Sequence, residues 1–241
     1  MNIIIVPTIH DVAIKTYELF KSQLILKPNS VLGLATGSSP LLLYQQLIEG
    51  VKNKQCSFKE VITFNLDEYI GVDVSQPQSY AHFMRHHLFN HVDINLDCTN
   101  IPSGLCEDLQ AECDRYNQAL ALHRIDLQLL GVGTNGHIAF NEPLTPFDSV
   151  THVVTLNEST RHDNAIFFNS LSEVPTHAIS MGIHNIMQAK KIILIATGPK
   201  KADAIYNIVH GPVEEVCPGS ILQTHHDVTL ILDEAAAARL G

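Results

Sequence analysis

Residues 125–143 read IDLQLLGVGTNGHIAFNEP. The first six form a short, largely apolar run of the kind that makes a buried strand. Gly131, Gly133 and Gly136 then let the chain bend and approach a ligand closely. Close behind come Asn135, His137 and Glu142. The imidazole can move protons near neutral pH, and the carboxylate can orient it or share the work. A fold alone does not require that mixture. The stretch reads as the lip of an active site at the carboxyl end of a sheet strand.

Outward from it, apolar runs alternate with helix-length amphipathic stretches. Strands are predicted at 2–6, 30–35, 61–64, 125–130, 178–180, 191–196 and 228–232. Helices are predicted at 11–26, 40–49, 78–89, 108–122 and 200–209. In the first helix Val12, Ala13, Tyr17, Leu19, Phe20 and Leu24 supply a broad apolar face, and Pro40 suits the first turn of the second. This alternation predicts an α/β domain spanning 1–241, with a mainly parallel sheet covered by helices on both faces. Residues 144–169 break the pattern with Pro146 and several Thr and Ser. They read as a mobile flap, about 144–170, that carries a short helix beside the site.

The bulk properties narrow the classes. The chain has 241 residues, 45% of them hydrophobic, enough for a substantial core. Its net charge of −10 argues against a nucleic-acid surface, while leaving room for a local basic pocket. No apolar run approaches the roughly 18 to 20 residues that cross a bilayer, so no membrane partner is expected. The opening MNIIIVP lacks a basic region and is not a signal peptide. Five scattered cysteines without a C-x-x-C pair fit a reducing, cytoplasmic setting. Among fourteen histidines, His82 and His86 stand four apart, but no H-E-x-x-H or zinc spacing occurs, and neither metal nor cofactor is expected.

Three more strand ends carry chemistry. In LATGSSP (34–40) a strand gives way to Thr36, Gly37, Ser38 and Ser39 and then a helix, a cradle suited to a phosphate. It is not a Walker loop, because no Gly-Lys-Ser/Thr follows. In FNLDEYIG (64–71) the adjacent Asp67 and Glu68 follow a buried strand, and a carboxylate in a partly apolar pocket has the raised pKa of a general base. In TGPKKA (197–202) two lysines sit in the first turn of a helix, where an anion compensates their opposition to the dipole. Strand ends of one parallel sheet share an edge, so these segments can converge. Gly131, Gly133 and Gly136 also satisfy G-x-G-x-x-G, but the strand before them lies past the chain's midpoint. His137, Asn141, Glu142 and Pro143 interrupt the apolar helix that a dinucleotide turn needs.

LATGSSP, FNLDEYIG, GVGTNGHIAFNEP and the stretch from THVVTL to STR, in this order, resemble the glucosamine-6-phosphate deaminases (isomerases), particularly the shorter bacterial members. The similarity runs over nearly the whole chain. It implies a modified Rossmann-type three-layer sandwich and conversion of glucosamine 6-phosphate and water into fructose 6-phosphate and ammonia. By the same resemblance Asp67 is the base moving a proton from C2 to C1, and His137 opens the sugar ring with help from Glu142 and Asn135. Thr36, Gly37, Ser38 and Ser39 cradle the phosphate, with Lys201 as its cation.

Two departures stand out. Some members have Asp where this chain has Asn135, which can orient an imidazole but not stabilise its cation by charge. The family typically has a phosphate-binding arginine before the Phe-Phe of the flap; here that position is Ile166. Either Lys201, Lys200 or Arg161 compensates, or phosphate binding is weak, or the substrate is another amino sugar phosphate such as galactosamine 6-phosphate. Longer relatives are hexamers with an allosteric site, and this chain lacks their extended C-terminal region, so no such activation is expected; a monomer or a homo-oligomer both remain open. A 6-phosphogluconolactonase and a catalytically weak sugar-phosphate-binding protein are the competing readings. FNLDEYIG and GHIAFNEP favour the deaminase.

Overall fold

The computed structural model describes residues 1–241. Seven parallel strands form its main sheet: β1 (Asn2–Val6), β2 (Val31–Leu34), β3 (Ile62–Asn65), β5 (Thr99–Asn100), β6 (Leu127–Leu130), β9 (Ile192–Ala196) and β10 (Val228–Asp233), in the order β1-β10-β9-β6-β2-β3-β5. β4 (Asp67–Tyr69), β7 (His152–Thr155) and β8 (His177–Ser180) make a separate antiparallel sheet, in the order β4-β8-β7. The helices are α1 (Ile9–Leu26), α2 (Leu41–Lys52), α3 (Tyr80–His87), α4 (Leu109–Leu122), α5 (Glu158–Asn164), α6 (Ile183–Met187) and α7 (Ala202–His210).

Every residue of β2, β6 and β9 is buried. Strands covered on both faces have no use for polar alternation, which is why they read as continuous apolar runs. α1 starts at a reciprocal cap, in which the Thr8 hydroxyl accepts the Asp11 N–H while Asp11 accepts the Thr8 N–H.

The strand order fixes the position of the site. From β2 the chain crosses by α2 to β3 on one side, whereas β6 leads eventually to β9 on the other. The order therefore reverses between β2 and β6, and beyond their carboxyl ends a crevice opens.

The second sheet departs from the sequence reading. The run at 178–180 pairs with β4 and β7 instead of joining the parallel sheet. One residue separates the two sheets at β3. The Leu66 N–H donates to the Leu34 carbonyl of the main sheet, and its own carbonyl accepts the Met181 N–H next to the small one. The 144–169 stretch, lacking a period in sequence, contains β7 as well as the short helix α5. Each helix start shifts by one or two residues: α1 begins at Ile9, α2 at Leu41, α3 at Tyr80 behind the Ser79 cap, α4 at Leu109, and α7 at Ala202 after a tight turn over Pro199–Lys201.

Candidate active site

A cavity of about 500 Å³ occupies the crevice between β2 and β6, within the range of roughly 300 to 1,000 Å³ typical of small-molecule sites. Thr36, Gly37, Ser38, Ser39, Asp67, His137 and Lys201 all line it. Asn135 and Glu142 stand immediately behind His137, so the predicted residues converge. A larger hollow of about 660 Å³ lies at Phe168, lined by Gln76, Gln78, Asn169 and Thr176. None of the predicted groups reaches it.

The adjacent acids have different fates because successive side chains of β4 point to opposite faces. Glu68 turns toward α3. Its carboxylate accepts the Ser79 hydroxyl and the N–H groups of Tyr69, Tyr80 and Ala81, all at 2.8–2.9 Å. It satisfies amides at the start of a helix that would otherwise lack partners. Asp67 turns into the cavity, is 6% exposed and accepts no hydrogen bond. Burial, and then the charge of Glu68, push its pKa up to about 8. A buried carboxylate held without donors is poised to take a proton.

The loop after β6 is shaped around His137. The imidazole lies against Gly133, where any Cβ would overlap the ring. Gly136 has φ +86 and abuts the Cys217 thiol, so it needs both the left-handed backbone and the missing side chain. Ala139, on the cavity wall, also has a positive φ of 52, which costs on the order of 1 kcal/mol for a residue with a Cβ. Neighbouring bonds hold it there. Asn141 donates to the Ile138 and Met181 carbonyls, and the Phe140 N–H donates to the Ser180 hydroxyl.

His137 Nδ1 lies 3.6 Å from Glu142 Oε2, an ion-pair separation too long for a good hydrogen bond. The carboxylate is instead tied by amides: Asn135 Nδ2 at 3.0 Å, Asn157 Nδ2 at 3.1 Å and the Asn157 N–H at 3.3 Å. Burial favours the neutral acid, but His137 and the surrounding donors outweigh it and hold Glu142 at about 2. Asn135 acts on the ring only at one remove. Its carbonyl oxygen accepts the His137 backbone N–H, and its amide fixes Glu142.

Asn157 escaped the sequence reading. It stands where a capping Asn is common before a helix, yet its side chain makes no bond to α5 and turns to Glu142 instead. Local sequence offers no signal for that choice. Tyr80, Phe140, His162 and Asp163 also line the cavity and were not anticipated.

At the anion end, Gly37 has φ +84 and turns the chain so that Thr36, Ser38 and Ser39 face the crevice. Lys200 and Lys201 approach from the turn before α7. Burial lowers the Lys201 pKa, and Asp163 opposes that shift. Ile166 lines the same cavity. Arg161, one candidate to replace a missing arginine, is committed elsewhere, donating to the Leu171 and Val174 carbonyls.

A turn of hydroxyls and nearby lysines at one end of a switch-point crevice, with an isolated carboxyl and an imidazole–carboxylate pair along its walls, is the arrangement of an α/β acid–base enzyme, and its hydroxyl and lysine end suits an anion. The family model for "Glucosamine-6-phosphate isomerases/6-phosphogluconolactonase" matches residues 8–231, and the chain belongs to that family. A glucosamine-6-phosphate deaminase of Clostridium novyi is 50% identical over 241 residues, covering 100% of both chains. That of Thermoanaerobacter sp. is 48% identical, over 99% of this chain and 94% of its own. A solved monomeric glucosamine-6-phosphate deaminase is 42% identical and superposes with a TM-score of 0.97 over 99% of each chain. The 6-phosphogluconolactonase of Trypanosoma brucei superposes at a TM-score of 0.80 with 19% identity, covering 100% of this chain and 98% of its own, a likeness of fold alone.

Proposed function

We infer that this protein is a glucosamine-6-phosphate deaminase, converting glucosamine 6-phosphate and water into fructose 6-phosphate and ammonia in amino sugar catabolism. The observation that carries the reading is Asp67, a buried carboxylate without a hydrogen-bond partner, in the cavity that also holds His137 and the Thr36–Ser39 turn. Full-length relatives of the same name at about half identity support it.

The phosphate sits in the Thr36, Gly37, Ser38 and Ser39 turn with Lys201 as counter-charge. His137 takes the proton from the O1 hydroxyl and returns one to O5 as the ring opens. Glu142 stays ionised and steadies the imidazolium formed between those steps. Asn135 keeps Glu142 and the His137 backbone in place. Asp67 removes the C2 proton and delivers it to C1, which needs a single base over two adjacent carbons. The resulting C2 iminium adds water and releases ammonia, leaving the ketose. A base with a pKa of about 8 is mostly protonated in the empty cavity at neutral pH. The substrate's C2 ammonium, brought alongside, favours the ionised form.

Fructose 6-phosphate and ammonia should appear in equal amounts from glucosamine 6-phosphate; no turnover at millimolar substrate would sink the assignment. Ile166 in the cavity wall is a reason to assay galactosamine 6-phosphate in parallel. The monomeric 42%-identical structure supports a monomer here, and sedimentation checks it. No helix is long and apolar enough to cross a membrane, and we place the activity in the cytoplasm. The flap about 144–170 is the element that opens for exchange of substrate and product.

A further inference from the structure

The anion end of the cavity contains a negative charge of its own. The cations there are Lys200 and Lys201, and the α5 side of the wall carries His162, Asp163 and Ile166. Asp163 Oδ2 accepts the Thr134 hydroxyl at 3.3 Å, tying α5 to the loop after β6. Asp163 and Lys201 line the same cavity without forming an ion pair; the carboxylate acts on the ammonium through space and only partly offsets burial, which lowers the Lys201 pKa. A phosphate entering this end meets a fixed carboxylate in the same lining as the lysines.

We propose that Asp163 is a specificity-determining residue, a fixed negative charge in the cavity wall that competes with the substrate's phosphate for the field of the lysines and sets how tightly the cavity holds an anion. The geometry extends to position 166. Residues three apart in a helical turn are neighbours, and Ile166 follows Asp163 by three in the turn that continues α5. An arginine placed at 166 would be caught by Asp163 before reaching the phosphate. Ile166 and Asp163 therefore act as one unit: the α5 side gives the phosphate neither lysine nor arginine, and its acid opposes the attraction of the lysines. The identity of the anion as a sugar's phosphate rests on the function proposed above, whereas the competition itself concerns any phosphate.

The test is the Kd for inorganic phosphate, measured by titration calorimetry or 31P NMR, on the wild-type protein, D163N, I166R and the double variant. D163N should tighten phosphate by roughly threefold to tenfold, the effect of removing one charge from beside a dianion at a partly screened site, with the gain shrinking at high salt. I166R alone should gain less than about twofold, and the double variant should exceed the product of the two single effects. Unchanged or weaker phosphate binding in D163N, or no phosphate binding by either protein, would overturn the competition. Additive effects would overturn the coupling to position 166. Tightening in D163N, together with no ammonia from the wild type, would refute the proposed function while leaving Asp163 its role. Ammonia release with an unmoved phosphate Kd would do the reverse.

Discussion

Replacing Asp67 with Asn separates the cost of burying this charge from its chemical use. The carboxyl is 6% exposed, and burial followed by Glu68 raises it to about 8. In the unfolded chain an aspartate titrates near 3.9, about four units lower, and each unit is worth about 1.4 kcal/mol. The folded chain binds this proton more tightly than the unfolded one, so stability is lost as pH rises from the unfolded value to the folded one. The loss is about 1–2 kcal/mol at about pH 5 and about 5 kcal/mol at about pH 8, as a ceiling reduced by any water that relaxes the site. Asn carries no charge at either pH. The advantage of D67N over wild type in unfolding free energy should therefore grow by up to about 3–4 kcal/mol between these pH values, whatever constant penalty the unpaired amide adds. The chain has no tryptophan, so urea unfolding is best followed by far-UV circular dichroism. A difference that stays flat with pH would mean that the folded carboxyl titrates normally, and the reasoning from burial would be refuted. In the same variant kcat should drop by at least about a hundredfold, the usual share of a general base.

For the wild-type enzyme, kcat/KM should climb with pH toward about 8 as Asp67 ionises in the free protein; a fall across neutral pH would contradict this. G133A drives a methyl group into the His137 ring, so kcat should decline and stability should fall by about 1–3 kcal/mol. Wild-type activity in G133A would show that the ring need not lie where it does. N157A removes one donor from Glu142 Oε2. We expect a several-fold loss in kcat with KM little changed, a split that general loosening of the cavity would not produce. E68Q puts an amide where four donors converge, and thermal unfolding should reveal a loss of about 1–3 kcal/mol.

Much of this protein was legible along the chain because the information is local. Apolar runs such as 192–196, buried on both faces, can hardly be anything but central parallel strands. Glycines, hydroxyls and acids placed right after them mark strand ends, and strand ends of a parallel sheet share an edge. Thr36–Ser39, Asp67, His137 and Lys201 were found on those grounds, and they do line one cavity.

Long-range packing decided the rest. Asp67 and Glu68 are equal in sequence; only the antiparallel pairing of β4 with β8, which sends successive side chains to opposite faces, leaves one isolated in the cavity and gives the other to α3. Ala178–Ser180 has the composition of a core strand, and its membership of the small sheet depends on partners more than a hundred residues earlier. Asn157 looks like a helix cap until Glu142, fifteen residues away in sequence, is brought within reach of its amide. Ile166 could be read as a missing arginine, but the commitment of Arg161 to backbone carbonyls and the placing of Asp163 in one cavity with Lys201 exist only once α5 is folded against the loop after β6. Sequence determines which groups are available at each strand end. Which of them keep a free charge depends on hydrogen-bond partners and burial, and those are set by neighbours distant in the chain.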